Sequence, residues 1–126
     1  MSLDAICLLV AGVVRASVPG PEFTLSWEHS VAKTLWEEHY RIDGDWLVLV
    51  EARVAGSGAG MEPPSTAVLR GGAWTWQPRT RLPELRLTLS GYTRDYTLCA
   101  RDGCNELSAR VGAAPEGSAV VIRRCG

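Results

Sequence analysis

Strict alternation of apolar and polar residues marks the first clear β-strand of the chain. One face carries Phe23, Leu25, Trp27 and His29, and the other carries Thr24, Ser26, Glu28 and Ser30. A second alternating run has Trp36, Glu38, Tyr40 and Ile42 on one face and Glu37, His39 and Arg41 on the other. Patterns of period two predict strands with one face turned toward a core. Asp43-Gly44 then indicates a hairpin between this strand and the next.

The length of that hairpin loop decides which residues of the next strand face the core, because a one-residue slip reverses every side chain. A two-residue Asp43-Gly44 turn places Leu47, Leu49 and Glu51 on the core face. A three-residue loop with Gly44 in the left-handed conformation places Trp46, Val48 and Val50 there instead. The second set is wholly apolar, so we predict the three-residue loop and a central strand with two leucines on its reverse face.

Short strand patterns separated by glycine and proline continue to the end of the chain. They cover residues 67–70, 73–76, 85–90, 95–100, 104–107 and 118–124, with a loop predicted at 77–84. No helical pattern runs beyond about two turns. We therefore predict one all-β domain over residues 1–126, either a small antiparallel β-sandwich or a partly open β-barrel built of hairpins.

An apolar run over residues 5–14 opens the chain. Arg15-Ala16-Ser17 follows it and loosely resembles a signal-peptide cleavage region. Asp4, however, stands where a signal peptide would carry a basic residue, and the run is too short to cross a bilayer. Residues 6–10 and 13–18, separated by Ala11-Gly12, fit a β-hairpin. Within residues 1–18 we favour this hairpin over an uncleaved or atypical signal segment.

Four cysteines carry information on the redox compartment. Cys99 and Cys104 bracket a turn-forming four-residue insert, so a disulfide can join them across a hairpin and contribute at most about 2 kcal/mol. An oxidised pair indicates an extracytoplasmic location, whereas two reduced thiols indicate a cytosolic hairpin. Cys7 is most simply a buried small hydrophobe, and Cys125 either pairs with it or stays free. The cysteines and histidines lack the spacing of a metal site, and no motif predicts a cofactor.

The formal net charge is -1, with 13 Lys and Arg residues against 14 Asp and Glu residues. A chain that is nearly neutral and has no cluster of basic residues lacks the electrostatic surface that grips a phosphate backbone. The charge balance therefore argues against nucleic acid as a partner.

Two polar residues interrupt the predicted core faces, His29 beside Trp27 and Glu38 beside Trp36. A buried carboxylate needs a partner, and His29, Lys33 or a neighbouring backbone donor could supply one. The pair is either an acid-base or ligand-anchoring site, or a structural hydrogen bond that fixes register. We favour the structural interpretation, because no activated nucleophile accompanies the pair.

Several short segments of this chain occur together in one bacterial family. They are Trp27-Glu28-His29-Ser30-Val31, Lys33-Thr34, Trp36-Glu37-Glu38 and Gly56-Ser57-Gly58-Ala59-Gly60-Met61. The combination resembles the uncharacterised domain of unknown function 1850 family, with its His-Ser-Val segment, Glu-bearing strand and Gly-Ala-Gly loop. The resemblance runs from about Phe23 to the Cys99 hairpin. It implies site residues at His29, Ser30, Lys33, Glu38, Gly58, Ala59 and Gly60.

Members of that family have no established activity and are generally encountered beside TRAP transporters of the TAXI type. The resemblance thus implies an accessory of solute uptake at the cell envelope, with a transporter component or its solute-binding protein as partner. We predict a non-enzymatic binding or accessory module whose site lies between residues 29–33 and 56–61. The alternative is a small enzyme with His29 and Glu38 as acid and base, which requires both side chains in one cavity.

Overall fold

The computed structural model describes residues 4–29, 34–55, 63–90 and 95–126. Those residues form strands joined by short turns, with one short helix near the C-terminal end. The elements are β1 (Ala5–Val10), β2 (Val13–Pro19), β3 (Glu22–His29), β4 (Thr34–Asp43), β5 (Trp46–Ala55), β6 (Val68–Arg70), β7 (Ala73–Trp76), β8 (Thr80–Leu82), β9 (Leu85–Thr88), β10 (Thr97–Ala100), β11 (Gly103–Glu106), α1 (Leu107–Val111) and β12 (Ala119–Arg124).

Two antiparallel sheets pack face to face. The small sheet has the order β2-β1-β12-β9, and the large sheet has the order β11-β10-β3-β4-β5-β7-β6, with β8 also pairing with β5. Alternate residues from both sheets share one buried cluster, which includes Ile6, Leu8, Val120 and Ile122 from the small sheet and Phe23, Leu25, Tyr40 and Leu47 from the large one. In the described residues neither sheet closes on itself. The all-β fold is therefore a sandwich, as the alternation predicted.

The predicted N-terminal hairpin is present as β1 and β2. Ala11 and Gly12 form its turn, with φ of 52° and 77°, the left-handed conformations that a tight hairpin requires. A β-bulge follows at Arg15, because Leu8 pairs with Ala16 and Leu9 with Val14. β1 then pairs with β12 on its other side, so the two ends of the described chain lie side by side in one sheet.

The predicted register between β4 and β5 is wrong. Asp43 pairs directly with Trp46, so the turn is the two residues Gly44 and Asp45. Leu47 and Leu49 consequently face the core and are buried, whereas Trp46 is 43% exposed. A β-bulge at Val50 then shifts the pairing. The buried positions change from Leu47 and Leu49 to Ala52 and Val54, which are 3% and 0% exposed.

That bulge is the physical reason for the error. In a regular strand, Glu51 shares a face with Leu47 and Leu49. The prediction therefore rejected that face as the core face, because it contained a charged residue. The extra residue in β5 turns Glu51 outward, opposite His39, while the apolar residues on both sides of it stay inside. A strict period-two pattern cannot represent such a change of phase.

Two further elements depart from the sequence prediction. Residues 77–84 were expected to be a loop, but Thr80–Leu82 forms β8, which pairs with the first half of β5. Leu107, expected at the end of a strand, instead begins α1. Arg110 of this short helix is 7% exposed at its side chain and donates hydrogen bonds to Asp102, to the Gly103 carbonyl and to the Leu98 carbonyl. Tertiary contacts therefore stabilise a helix that is too short to persist alone.

Both pairs of cysteines are oxidised. Cys99 and Cys104 are joined across the β10–β11 hairpin as predicted, with their Cα atoms 4.0 Å apart. Cys7 is buried as predicted, and it is joined to Cys125, the alternative that the sequence left open. Because β1 pairs with β12, Cys7 meets Cys125, which directly follows β12, although 118 positions separate the two cysteines in sequence. In the part of the chain that the structure describes, no helix has the length and hydropathy to cross a bilayer.

Candidate functional site

Glu38 lies in the middle of β4 on the face that looks toward the small sheet. Its neighbours across the strands are Leu25 on β3 and Ala52 on β5, both buried. The Tyr40 hydroxyl, two residues along the same strand face, donates a hydrogen bond to Glu38 Oε1 at 2.9 Å. The carboxyl group is half-buried and sits at the margin of the apolar core. It is thus held in one orientation by a neutral donor.

Burial perturbs the acid-base behaviour of this group. Desolvation raises the pKa of Glu38, and the hydrogen bond from Tyr40 partly opposes that rise. Burial, followed by the adjacent carboxylate, raises the pKa of Tyr40 well above its ordinary value. Burial and the charge of Glu38 also raise the pKa of Tyr96. Both hydroxyls therefore remain protonated donors at neutral pH, while the carboxylate lacks much of its normal hydration.

Aromatic residues share the sheet face of the Glu38–Tyr40 pair. Trp27 stacks on Trp36 with ring centroids 6.1 Å apart, and Tyr96 meets Trp27 edge-on at 5.6 Å. Strand pairing extends the same face across the sheet, with Trp74 in the Trp36 row and Trp76 in the Glu38 row. We call the face formed by Trp27, Trp36, Glu38, Tyr40, Trp74, Trp76 and Tyr96 the Glu38 face. It combines one oriented carboxyl group with apolar rings, a composition typical of small-molecule sites.

The backbone positions of His29 and Glu38, the predicted acid-base pair, lie apart along the strands. His29 is the last residue of β3, and its backbone pairs with Thr34 instead of Glu38. The Trp27–Trp36 row lies between these two positions, which are about 13 Å apart along the strand. The partner of Glu38 within the described residues is Tyr40, which the sequence analysis missed. Its spacing of two residues on an extended strand was the available signal.

The other predicted site residues fall largely outside the described part of the chain. This holds for the side chain of His29 and for Ser30, Lys33, Gly58, Ala59 and Gly60. A hydrogen bond from His29 or Lys33 to Glu38 thus stays a prediction. The described strands show where these segments connect to the sheet. Thr34 begins β4, and its neighbour Leu35 pairs with Ala55, the last residue of β5. The ends of β3, β4 and β5 that border residues 30–33 and 56–62 in sequence therefore lie together, beside the Trp27–Trp36 row.

A second polar cluster lies on the opposite, outward face of the large sheet. His39 Nδ1 lies 3.0 Å from the Thr24 hydroxyl, and His39 Nε2 lies 3.3 Å from Glu22 Oε1. A cavity of about 240 Å³ beside them is lined by Thr24, Glu37, His39, Glu51 and Arg53. The hydroxyl, imidazole and carboxylate follow one another as in a hydrolase triad. The side chains of His39 and Glu22 are 34% and 45% exposed, however, and the open sheet does not exclude water from them.

Across residues 4–29, 34–55, 63–90 and 95–126, no group of three or more His, Cys, Asp and Glu side chains converges as metal ligands would.

Comparison with protein families identifies a match. Residues 23–107 match the family described as Domain of unknown function (DUF1850). The chain belongs to this family. The DUF1850 segment runs from Phe23 in β3 to the first residue of α1, so it includes the Glu38 face, the Cys99–Cys104 hairpin and all of the His39 cluster except Glu22. β1, β2 and β12 lie outside it. No curated protein and no solved structure matches the chain.

Proposed function

We propose that this DUF1850 protein is a non-enzymatic binding module with its ligand site on the Glu38 face. The observation that carries the proposal is the Glu38 carboxyl group, held by Tyr40 at 2.9 Å among tryptophan and tyrosine rings. A desolvated carboxylate gains most from a ligand that donates a hydrogen bond, because water supplies few. The rings favour a ligand whose donor is attached to an apolar or aromatic body.

The arrangement of the strands supports binding over acid-base catalysis. The catalytic alternative requires His29 and Glu38 to reach the same substrate atom, and the Trp27–Trp36 row stands between their backbone positions. A binding site has no such requirement. The other residues implied by the family resemblance belong to segments 30–33 and 56–62, which follow or precede neighbouring strand ends in sequence, and we expect these segments to border the ligand.

The proposal extends to location and partner. Two disulfides fit an oxidising compartment, so we assign the module to the extracytoplasmic side of the cell envelope. The resemblance to a family encountered beside TAXI-type TRAP transporters makes a transporter component or its solute-binding protein the proposed partner. The function that follows is an accessory of TRAP-type solute uptake.

Ligand binding can be tested by following tryptophan fluorescence, because Trp27 and Trp36 lie on the proposed site. The protein is titrated with a panel of solutes that pair an apolar or aromatic body with an amine, amide or hydroxyl donor. We expect at least one solute to shift the emission of the wild-type protein and of Glu37→Gln, which changes the outward face. Glu38→Gln should weaken that binding about tenfold or more, the effect of one hydrogen bond to a charged group. Equal affinities for the two variants would place the site elsewhere.

The proposed partner needs a separate experiment. Tagged protein purified from the native cell envelope should bring down a TRAP solute-binding protein or membrane subunit. As a control, the same conditions should retain the solute-binding protein on its own membrane subunit. If neither of these two proteins is recovered with the tagged protein under those conditions, the proposed transporter association is refuted. The fluorescence result would remain valid in that case.

A further inference from the structure

Solvent reaches the two disulfides unequally. Cys7 is 9% exposed and lies on β1, which has β2 on one side and β12 on the other, and its partner Cys125 is half-buried. Cys104 is exposed, as are all four residues of β11, and its partner Cys99 is half-buried. A thiol can exchange with a disulfide only if it reaches one of the two sulfur atoms. Access therefore favours the Cys99–Cys104 pair as a site of thiol–disulfide exchange.

Strand order decides which sulfur of this pair an incoming thiolate meets. Among the described strands, β11 is the last in the order of the large sheet, and Cys104 faces Cys99 directly across the β10–β11 pair. On its other side, Cys99 faces Thr24 of β3. A thiolate attacks in line with the S–S bond, so the path to Cys104 comes from outside β11, whereas the path to Cys99 passes over β3. This arrangement favours attack on Cys104, with Cys99 as the leaving sulfur.

The hairpin has other interactions that stabilise it when the S–S bond opens. Arg110 of α1 donates hydrogen bonds to the Leu98 carbonyl at 3.1 Å, to the Gly103 carbonyl at 2.8 Å and to both carboxylate oxygens of Asp102. Backbone pairing between β10 and β11 adds to these contacts. The disulfide spans 5 positions, so it removes less entropy from the unfolded chain than the disulfide that spans 118 positions. Opening the short loop therefore leaves the sandwich folded.

We propose that Cys99–Cys104 is a thiol–disulfide exchange site whose co-reactant is a vicinal dithiol. A thiolate of the dithiol attacks Cys104 Sγ and forms a mixed disulfide, while the S–S bond breaks and Cys99 leaves as a thiolate. The second thiolate of the dithiol then attacks the first dithiol sulfur, which releases Cys104. The dithiol loses two electrons and becomes a disulfide, and its two protons pass through solvent to the two cysteines. The site lies on the outward face, so it does not rest on the ligand proposed for the Glu38 face.

Partial reduction of the native protein tests the selectivity. The oxidised protein is treated with dithiothreitol, free thiols are alkylated at intervals, and peptide mass spectrometry identifies the alkylated cysteines. We expect Cys99–Cys104 to be reduced at least about tenfold faster than the other disulfide, with unchanged tryptophan fluorescence and circular dichroism. Removal of dithiothreitol and addition of oxidised glutathione should restore the bond. Equal rates for the two disulfides, or reduction of Cys99–Cys104 only on unfolding, would mean that it is a structural cross-link and would overturn the proposal.

Two single variants of the full chain identify the attacked sulfur. Cys99→Ser leaves the Cys104 thiol, and Cys104→Ser leaves the Cys99 thiol. Both variants lack the same disulfide, so each controls for the effect of its loss on stability. Because the mixed disulfide forms on Cys104, the Cys104 thiol should react with oxidised glutathione about tenfold faster than the Cys99 thiol, as followed by intact mass. Equal rates, or a faster reaction at Cys99, would contradict the assignment of Cys104.

Discussion

The two disulfides differ in the length of chain that they close, so their removal should have unequal effects on stability. Cys7–Cys125 spans 118 positions and Cys99–Cys104 spans 5. The perturbation compares two double variants, Cys7→Ala with Cys125→Ala and Cys99→Ala with Cys104→Ala. Each variant retains the other disulfide as an internal reference.

The expected magnitudes follow from the entropy that a cross-link removes from the unfolded chain. That entropy grows with the logarithm of the loop length, which gives about 5 kcal/mol for the 118-position loop and about 2 kcal/mol for the 5-position loop at 25 °C. The difference of about 3 kcal/mol exceeds the error of a denaturant extrapolation. A loss of about 5 kcal/mol is also comparable to the whole stability of many small domains.

Equilibrium unfolding in urea, followed by tryptophan fluorescence and far-ultraviolet circular dichroism, measures both losses. If the variant without Cys7–Cys125 is largely unfolded in buffer, a stabilising osmolyte restores a measurable transition for all three proteins. We expect the long-range disulfide to account for the larger loss. Equal losses, or a larger loss for Cys99–Cys104, would refute the loop-closure reasoning and indicate that local hairpin geometry dominates.

Three further predictions concern single side chains. Because burial raises the pKa of Glu38 in the folded protein, its stabilising contribution is complete below the unfolded-state pKa and is lost as the pH rises through the folded-state pKa. Glu38→Gln cannot ionise, so its melting temperature relative to wild type should rise as the pH is raised above the unfolded-state pKa of Glu38, with Glu37→Gln as the control. A flat difference would show that Glu38 is well solvated. Arg110→Ala removes the donor from two carbonyls and a carboxylate, so it should lower the free energy of unfolding in urea by about 2–3 kcal/mol. The control Arg101→Ala, at an exposed position, should change it by less than about 0.5 kcal/mol. Similar losses for both variants would refute a structural role for Arg110. Gly20→Ala places a Cβ against the Asp4 carbonyl oxygen, so it should lower the free energy of unfolding by about 1–3 kcal/mol in the same assay. An unchanged stability would mean that the backbone at Asp4 can shift at little energetic cost.

The fold class and most strands could be predicted because they depend on local patterns. Alternation located β3 and β4, a short apolar strand pattern located β12, and Gly71-Gly72 located the β6–β7 hairpin. The β4–β5 register could not be obtained in this way, because it depends on a bulge that has no signature in the alternation. The disulfide between Cys7 and Cys125 depends on β1 and β12 being neighbours, a long-range pairing that no short window of sequence contains.

The candidate site was predictable only in part. The position of Glu38 beside Trp36 and Tyr40 followed from alternation, and the structure places it on the inner face with both. Its hydrogen bond from Tyr40 was missed because the partners considered were charged side chains and backbone donors, whereas Tyr40 is a neutral side-chain donor.

The bulge at Val50 divides the large sheet into two parts that can diverge separately. Before it, β5 pairs with β8 through Leu47, Val48 and Leu49; after it, β5 pairs with β7 through residues 52–55. Trp36, Glu38, Trp74 and Trp76 lie in the part paired with β7, whereas Tyr40 lies beside Leu49 in the part paired with β8. Descendants of one ancestor could therefore lengthen, shorten or remodel the β6–β7 hairpin without changing the register of Leu47 and Leu49. In a comparison of homologues, a one-residue gap at this position would mark a change of phase between the two parts and not the loss of a strand.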